Sequence, residues 1–287
     1  MSSIHTCDLF DTLSHEYYHL TASEKKVADY VVANRTTAQH LSITEMAEAC
    51  EVAEATISRF CRRLGFDGYA TFKLAVATSA AVRVAAHPLS GEVSPQDTVP
   101  DLARKLAGVA MEAVAETERL LCPELIRQAA DLLLAAHTVL CMGQGGSMIL
   151  AQEAAHLFST AFPNYYAISD SHMQAIRTAQ LTPQDVILYF SYSGSTIGLL
   201  EVEQIASQRG VPIILITRYP KSPGSAQARL VLQCGSTESP LQLGSIPARI
   251  SQLYLMDVLF AELCRRDLDT CRRRRAQVAQ ALSGKHI

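Results

Sequence analysis

Residues 185–196 read DVILYFSYSGST, in which an almost wholly apolar run is followed by a turn rich in serine and glycine. An apolar run of this length without polar alternation is typical of a strand that is buried on both of its faces. Strands of that kind belong to parallel sheets, because helices cover both sides of such sheets. The stretch therefore predicts a buried parallel strand, then a loop, then a helix.

Four more short apolar runs lie on either side of this stretch, at HTVLCM (137–142), NYYAIS (164–169), VPIILIT (211–217) and RLVLQC (229–234). Amphipathic segments of helical length separate the first four of the five runs, and such alternation implies a parallel sheet. A last helix is expected from about Pro247 to Cys264, with a tail that extends it or frays. We predict an α/β domain with a five-stranded parallel sheet of flavodoxin-like order and helices on both faces.

Two turns rich in glycine and serine follow the first and third predicted strands. The first turn is Gly143-Gln144-Gly145-Gly146-Ser147, and the second is SYSGST at 191–196. In a flavodoxin-like sheet these strands flank the point where ligands bind. Backbone amides at glycine turns and at helix N-termini bind anions. Neither turn contains Lys or Arg, so this pattern predicts a phosphate monoester held by amides and hydroxyls. Neither turn has the spacing of a dinucleotide or nucleoside triphosphate loop.

The N-terminal region is helical in pattern. Residues 42–64, SITEMAEACEVAEATISRFCRRL, predict a short helix at about 43–50, a tight connection at Glu51–Ala53 and a second helix at about 54–64. Two helices joined in this way form a helix-turn-helix. In the second helix Ile57, Phe60, Cys61 and Leu64 lie on one stripe and face the core.

The opposite face of the second helix is basic. Between Ala55 and Lys73 four basic residues stand against Asp67 alone, a local charge of +3 in a chain with a net charge of −3. Small residues at the start of such a helix allow close approach to base edges, and arginine binds guanine or phosphate. We therefore expect DNA contacts from Ala55, Thr56, Ser58, Arg59, Arg62 and Arg63. The structural alternative is a helical bundle with a solvated arginine face.

Composition limits the other possibilities. The chain has 287 residues, of which 48% are hydrophobic and 18% charged, so it encloses a sizeable core. No apolar run is long enough to span a membrane, and the N-terminus lacks the pattern of a signal peptide. Eight cysteines without a CxxC pair favour reduced thiols in a cytoplasmic protein over disulfides or a metal site.

These observations divide the chain into four segments. We expect a helix-turn-helix DNA-binding domain at 1–83, a linker at 84–100, a connecting helix at 101–123, and a ligand-binding domain with a C-terminal helix at 124–287. The linker is predicted from its three prolines between residues 85 and 100.

Two resemblances follow from these motifs. Residues 21–77, with TASEKKVADYVVAN, ITEMAEAC and ATISRFCRRLGFDGYATFKLA, resemble the N-terminal domain of the RpiR family of transcriptional regulators. That family usually has Ser where this chain has Ala53, and an alanine there forfeits about 0.5–2 kcal/mol of helix capping. Residues from about 124 to 265 resemble a SIS (sugar isomerase) domain, which implies a phosphosugar ligand. By that resemblance the ligand contacts would come from Gly143, Gly145, Ser147, Ser191, Ser193 and Thr196.

The combined expectation is a cytoplasmic transcriptional regulator of sugar or amino-sugar metabolism. It would bind a palindromic operator as a homodimer or homotetramer and a phosphosugar effector, without a cofactor, a metal or a catalytic residue. The main alternative is a sugar-phosphate isomerase with a helical appendage, for which His156, His172 and Glu153 are candidate bases. A second alternative is a scaffold that binds phosphosugar but no DNA.

Overall fold

The computed structural model describes residues 9–83, 94–235 and 246–285. The described residues up to Leu106 form one compact unit, and those from Ala107 onward form a second. We call them the helical unit and the α/β unit. Of the predicted linker at 84–100, residues 84–93 lie outside the described residues.

The helical unit begins as a bundle. Its helices are α1 (Leu9–Glu16), α2 (Ala22–Ala33), α3 (Arg35–Ala38), α4 (Ile43–Ala49), α5 (Glu54–Arg63) and α6 (Tyr69–Arg83), with a 3₁₀ turn at Tyr17–His19. Fully buried apolar side chains from α2, α4, α5 and α6 meet in one core, and they include Val27, Met46, Ile57, Phe60 and Phe72. Capping boxes at Thr21 and Ser42 fix the starts of α2 and α4.

The turn between α4 and α5 has an unusual residue at its left-handed position. The amide of Glu51 donates to the carbonyl of Glu48, and that of Val52 donates to Ala47. This bonding pattern is the Schellman motif, in which glycine usually occupies the left-handed position. Here that position is Glu51, with a φ of 52°. Ala53 caps α5 without a side-chain hydrogen bond, as its lack of a hydroxyl predicts.

A long helix, α7 (Val99–Leu120), follows the described part of the linker. The hydroxyl of Thr98 accepts a hydrogen bond from the amide of Asp101, and the carboxylate of Asp101 accepts one from the amide of Thr98. This reciprocal cap starts the helix two residues before the predicted start at 101, with Pro100 in the first turn, where its missing amide hydrogen costs nothing.

The α/β unit has the predicted architecture. Its elements are α8 (Pro123–Ala135), β1 (Val139–Gly143), α9 (Gly146–Ser159), β2 (Tyr165–Ala167), α10 (Ser171–Gln180), β3 (Val186–Phe190), α11 (Ile197–Arg209), β4 (Ile213–Thr217), β5 (Leu230–Gln233), α12 (Ile246–Arg266) and α13 (Leu268–Ser283). The five strands are parallel in the order β2-β1-β3-β4-β5, which confirms the flavodoxin-like prediction. Because α13 is a separate helix, the tail extends the helical structure after a break at Asp267.

The sheet is buried on both faces, as its apolar strands predict. Alternate residues such as Cys141 and Leu188 pack against α8, α9 and α12. The residues between them, such as Leu140 and Ile187, pack against α11. Since β1 and β3 are neighbours, the loops after them emerge side by side at the carboxyl edge of the sheet.

Candidate functional site

The first loop follows β1 and depends on a close approach of the backbone at Gly143. A side-chain carbon at Gly143 would lie 2.7 Å from the backbone carbon and oxygen of Ser147, so only glycine fits. Gly145 precedes α9 with a φ of 53°, a left-handed conformation that favours glycine. Ser147 is half-buried in the first turn of α9. The loop thus passes directly into a helix N-terminus, where backbone amides attract anions.

The second loop follows β3 and is pressed against the chain after β4. Gly194 has a φ of 60°, and a side-chain carbon there would lie 2.1 Å from Oγ of Ser222. The carbonyl of Gly194 accepts a hydrogen bond from the amide of Gly224 at 2.9 Å. The hydroxyl of Thr217 donates to the carbonyl of Tyr192 at 3.0 Å. The position of this loop is therefore fixed by its surroundings.

The hydroxyls of the second loop divide into bonded and unbonded ones. Ser195 is exposed, and its hydroxyl donates to the carbonyl of Ser193 at 2.9 Å. Ser191 is only 3% exposed, and among the described residues its Oγ has no hydrogen-bond partner. Among the described residues the buried Oγ1 of Thr196, which precedes α11, meets no partner with full hydrogen-bond geometry, and the hydroxyl of Tyr189 lies near it. Buried hydroxyls without partners are costly, and a ligand that accepts their hydrogens removes that cost.

Two glutamines connect the loops, and the sequence patterns did not identify them as site residues. Nε2 of the buried Gln174 donates to the carbonyls of Gly143 and Ile168, at 3.1 and 2.8 Å. Its Oε1 accepts a hydrogen bond from Nε2 of Gln144 at 2.9 Å. Gln144 in turn lies against Gly198 in the first turn of α11. The one available signal was the position of Gln144 inside the first glycine turn.

The candidate bases of the isomerase alternative lie in ordinary structural settings. Glu153 and His156 line a surface groove between α9 and α12, together with Arg249. His172 is exposed on α10, and the carboxylate of Asp170 accepts the capping hydrogen bond from the amide of Met173.

The second candidate site is the outer face of α5. Ala55, Arg59, Arg62 and Arg63 are exposed and Ser58 is half-buried. Thr56 points inward at 8% exposure, and its hydroxyl accepts a hydrogen bond from Nη2 of Arg59 at 3.2 Å. In this arrangement Thr56 orients an arginine, and its own DNA contact stays a prediction.

The arginines of α5 differ in how firmly they are held. Arg63 donates to the carbonyl of His19 at 2.5 Å and lies 3.5 Å from a carboxylate oxygen of Glu24. The side chain of Arg62 makes no hydrogen bond or ion pair with any residue in the described ranges. Arg59 and Arg62 are thus exposed on this face, and neither has an acidic partner at salt-bridge distance among the described residues.

Two negative findings concern the described residues alone. Within 9–83, 94–235 and 246–285, no three His, Cys, Asp or Glu side chains are grouped as a metal site would require. In the same ranges no helix has the length and apolar character needed to cross a membrane.

Comparison with known proteins assigns both units. A model of the helix-turn-helix domain of the RpiR family matches residues 7–83, and a SIS domain model matches residues 132–262. An HTH-type transcriptional regulator of Caldanaerobacter subterraneus is 32% identical over 267 residues, or 93% of this chain and 94% of that protein. The HTH-type transcriptional regulator HexR of Pseudomonas aeruginosa is 29% identical over 255 residues, covering 88% of this chain and 87% of HexR.

Among solved structures, the chain is similar to Vibrio vulnificus NanR complexed with ManNAc-6P. The TM-score is 0.88 at 23% identity, over 97% of this chain and 99% of that one. At this level of identity the likeness establishes a shared fold.

Proposed function

The chain belongs to the RpiR family of transcriptional regulators, and on that basis we propose that it binds DNA through α5 and senses a phosphosugar bound between the loops after β1 and β3. The effector changes the affinity for DNA to the extent that it binds the DNA-competent and incompetent states differently. The observation that supports the ligand site most directly is the buried hydroxyl of Ser191 beside the glycine turn at Gly143, which has no hydrogen-bond partner in the part of the chain that the structure describes.

The chemistry of the loops supports a phosphate group. A phosphate offers several acceptor oxygens, and the loops provide hydroxyls at Ser191, Ser193 and Thr196 together with backbone amides. The similarity of the fold to that of NanR, whose structure contains ManNAc-6P, makes that compound a sensible member of any ligand panel.

The ligand test measures the melting temperature of the full chain with a panel of phosphosugars, each paired with its free sugar. Ligand at 100 times its Kd adds about 2.7 kcal/mol to the free energy of unfolding, which shifts the melting temperature visibly. We expect a phosphosugar to raise the melting temperature while its free sugar does not, and Ser193→Ala to abolish the shift. Ser195→Ala is the matched control, because that exposed hydroxyl is already bonded within the loop. If the phosphosugar raised the melting temperature of Ser193→Ala as much as that of Ser195→Ala, the ligand site could not be assigned to these loops.

The DNA proposal rests on the exposed arginines of α5. One recognition helix offers little contact area, so we expect a homodimer or homotetramer on a palindromic operator. We therefore expect the protein to be located in the cellular compartment that contains its DNA target. The test selects duplexes from a random pool with the wild-type protein and then resynthesises the retained sequence. Arg62→Ala is expected to weaken binding about tenfold and to reduce the salt slope by about 0.9, as for one lost phosphate contact.

Arg127→Ala supplies the matched charge control, because Arg127 lies on α8 and pairs with Glu124 at the surface. Equal binding by the two variants would exclude Arg62 from the interface. Enrichment of no sequence by the wild-type protein would contradict the DNA-binding proposal as a whole.

We also propose that the chain does not turn over its ligand, since its close relatives are named as regulators. Incubation of the wild-type protein with the phosphosugar that shifts its melting temperature should leave that compound unchanged. Conversion to an isomeric sugar phosphate, lost in Ser193→Ala, would support the isomerase alternative instead.

A further inference from the structure

Two thiols face each other where α12 passes into α13. Cys264 lies two residues before the end of α12, and Cys271 is the fourth residue of α13. Their Sγ atoms are 2.9 Å apart. Cys271 is 3% exposed, whereas Cys264 is half-buried and so has one side open to solvent. Neither residue takes part in the two sites described above.

The surrounding contacts hold this pair in place. At the end of α12, Arg266 binds Glu262 and Asp131. The carbonyl of Asp267 accepts a hydrogen bond from the amide of Cys271 at 3.0 Å, which fixes the first turn of α13. Arg274, farther along α13, donates to the carbonyl of Ala161 at 3.1 Å. Both helices are therefore anchored on each side of the thiols.

The other described cysteines have no comparable neighbour. Cys61, Cys141 and Cys234 are buried singly, and Cys122 is exposed. Among the described residues, Cys264 and Cys271 form the one thiol pair within bonding distance.

We propose that Cys264 and Cys271 form a dithiol site that reacts with a low-molecular-weight disulfide of the glutathione type and closes to an intrachain disulfide. The Cys264 thiolate attacks one sulfur of the disulfide and releases one thiol, leaving a mixed disulfide on Cys264. The Cys271 thiolate then attacks the Cys264 sulfur, releases the second thiol and closes the bond. The pair of cysteines loses two electrons and two protons, which the two released thiols carry away.

The geometry requires only a small adjustment. A disulfide has an S–S length of about 2.05 Å, so the two sulfurs approach by less than an ångström from their present separation. Closure ties the start of α13 covalently to the end of α12.

The same surroundings determine the order and speed of the steps. Of the two residues Cys264 is the more exposed, so it is the one that the external disulfide meets first. Burial and the neighbouring Cys271 raise the pKa of Cys264 to about 12. Because the thiolate is the reacting form, the reaction at neutral pH is slow and accelerates as the pH rises.

The test equilibrates the full chain in buffers of rising ratio of glutathione disulfide to glutathione, then alkylates the free thiols and digests with trypsin. Cleavage after Arg265 and Arg266 puts the two cysteines on different peptides, so only a disulfide keeps these peptides together. We expect the linked peptides in the wild-type protein and in Cys122→Ala, and their complete loss in Cys264→Ala. Cys264 is partly exposed, so its replacement leaves the buried Cys271 packing in place. A thermal melt of each variant confirms that it is folded.

Two outcomes would overturn the site. In the first, Cys264 and Cys271 both stay reduced and are alkylated, at a ratio of glutathione disulfide to glutathione at which Cys122 already carries glutathione. In the second, Cys264 accumulates glutathione without closure to Cys271. In either case the close approach of the sulfurs reflects packing alone.

Discussion

Each compact unit contains a buried glutamate, and the two carboxyl groups have opposite environments. Glu24 in the helical unit is 5% exposed, and its carboxylate accepts hydrogen bonds from the amide and the hydroxyl of Thr21, both at 2.8 Å. Burial acts to raise the pKa of Glu24, but these bonds, with Arg63 and Arg59, hold it below the usual value.

Glu203 in the α/β unit is 1% exposed, and its two carboxylate oxygens have no hydrogen-bond partner among the described residues. Burial alone raises the pKa of Glu203 to about 8. The comparison teaches that the supply of partners, more than the depth of burial, decides whether a buried carboxyl group is ionised. It also predicts that the two units respond to pH in opposite directions.

The largest effect is expected from Glu203→Gln. A pKa raised above that of the unfolded chain means that the folded state binds more protons, so stability falls as the pH rises from about 4.5 to about 8. For a shift from 4.5 to about 8, the loss is on the order of 5 kcal/mol. Glu203→Gln should remove this slope in urea unfolding series at several pH values, whereas Glu201→Gln, on the exposed side of α11, should retain it. A wild-type stability that is flat between these pH values would contradict the buried, unpaired carboxyl group.

The next effect concerns the packed loop of the α/β unit. Gly194→Ala introduces a side-chain carbon 2.1 Å from Oγ of Ser222 at a φ of 60°. Strain and overpacking together should lower the free energy of unfolding by about 3 kcal/mol and abolish the phosphosugar response. Gly146→Ala is the control, because nothing lies within 4 Å of the added carbon at that position. If the two variants had equal free energies of unfolding in urea, the loop would be able to rearrange around the added side chain at little cost.

A smaller effect is expected in the helical unit from Glu24→Gln. Glutamine keeps the capping bonds of α2 but loses the charge that faces Arg63, so we expect a loss of about 1–2 kcal/mol at neutral pH. Since the folded pKa is lowered, this contribution is present above the unfolded carboxyl value of about 4.5 and disappears as the pH falls through the folded value. Glu45→Gln changes the matching position in the cap of α4, and it should cost less in the same unfolding measurement.

The smallest effect compares two helix ends. In the α/β unit α11 is followed by Gly210, with a φ of 69°, whereas in the helical unit the equivalent left-handed residue after α4 is Glu51. Glu51→Gly should raise the free energy of unfolding by about 0.5–1 kcal/mol through relief of backbone strain. The exposed ion pair with Lys26 that it removes contributes little. Gly210→Ala should lower the free energy of unfolding by a similar amount. If Glu51→Gly and Gly210→Ala changed the free energy of unfolding in the same direction, the strain argument would be refuted.

The local elements could be predicted from sequence because one-dimensional patterns determine them. The apolar runs located all five strands, and the stripe of Ile57, Phe60 and Cys61 located α5 within a residue of its observed ends. The order of the strands and the adjacency of the two glycine turns followed from the rules of parallel sheets.

Contacts between residues distant in sequence could not be predicted. The bonds from Gln174 to Gly143 and Gln144 depend on how α10 is placed against β1, which no periodicity encodes. The inward turn of Thr56 and the bond of Arg63 to His19 depend on the packing of neighbouring segments. The burial of Glu203 runs against the usual preference of a carboxylate for solvent, so a residue-type rule points the wrong way.

The contact between Gly194 and Ser222 also limits how such a chain changes over evolutionary time. A side chain at 194 would collide with the serine at 222, and the Ser222 hydroxyl is itself paired with Ser225 at 2.7 Å. A side chain at position 194 therefore requires that Ser222 also change or move. We therefore expect positions 194 and 222, in the turns after β3 and β4, to change together if they change at all.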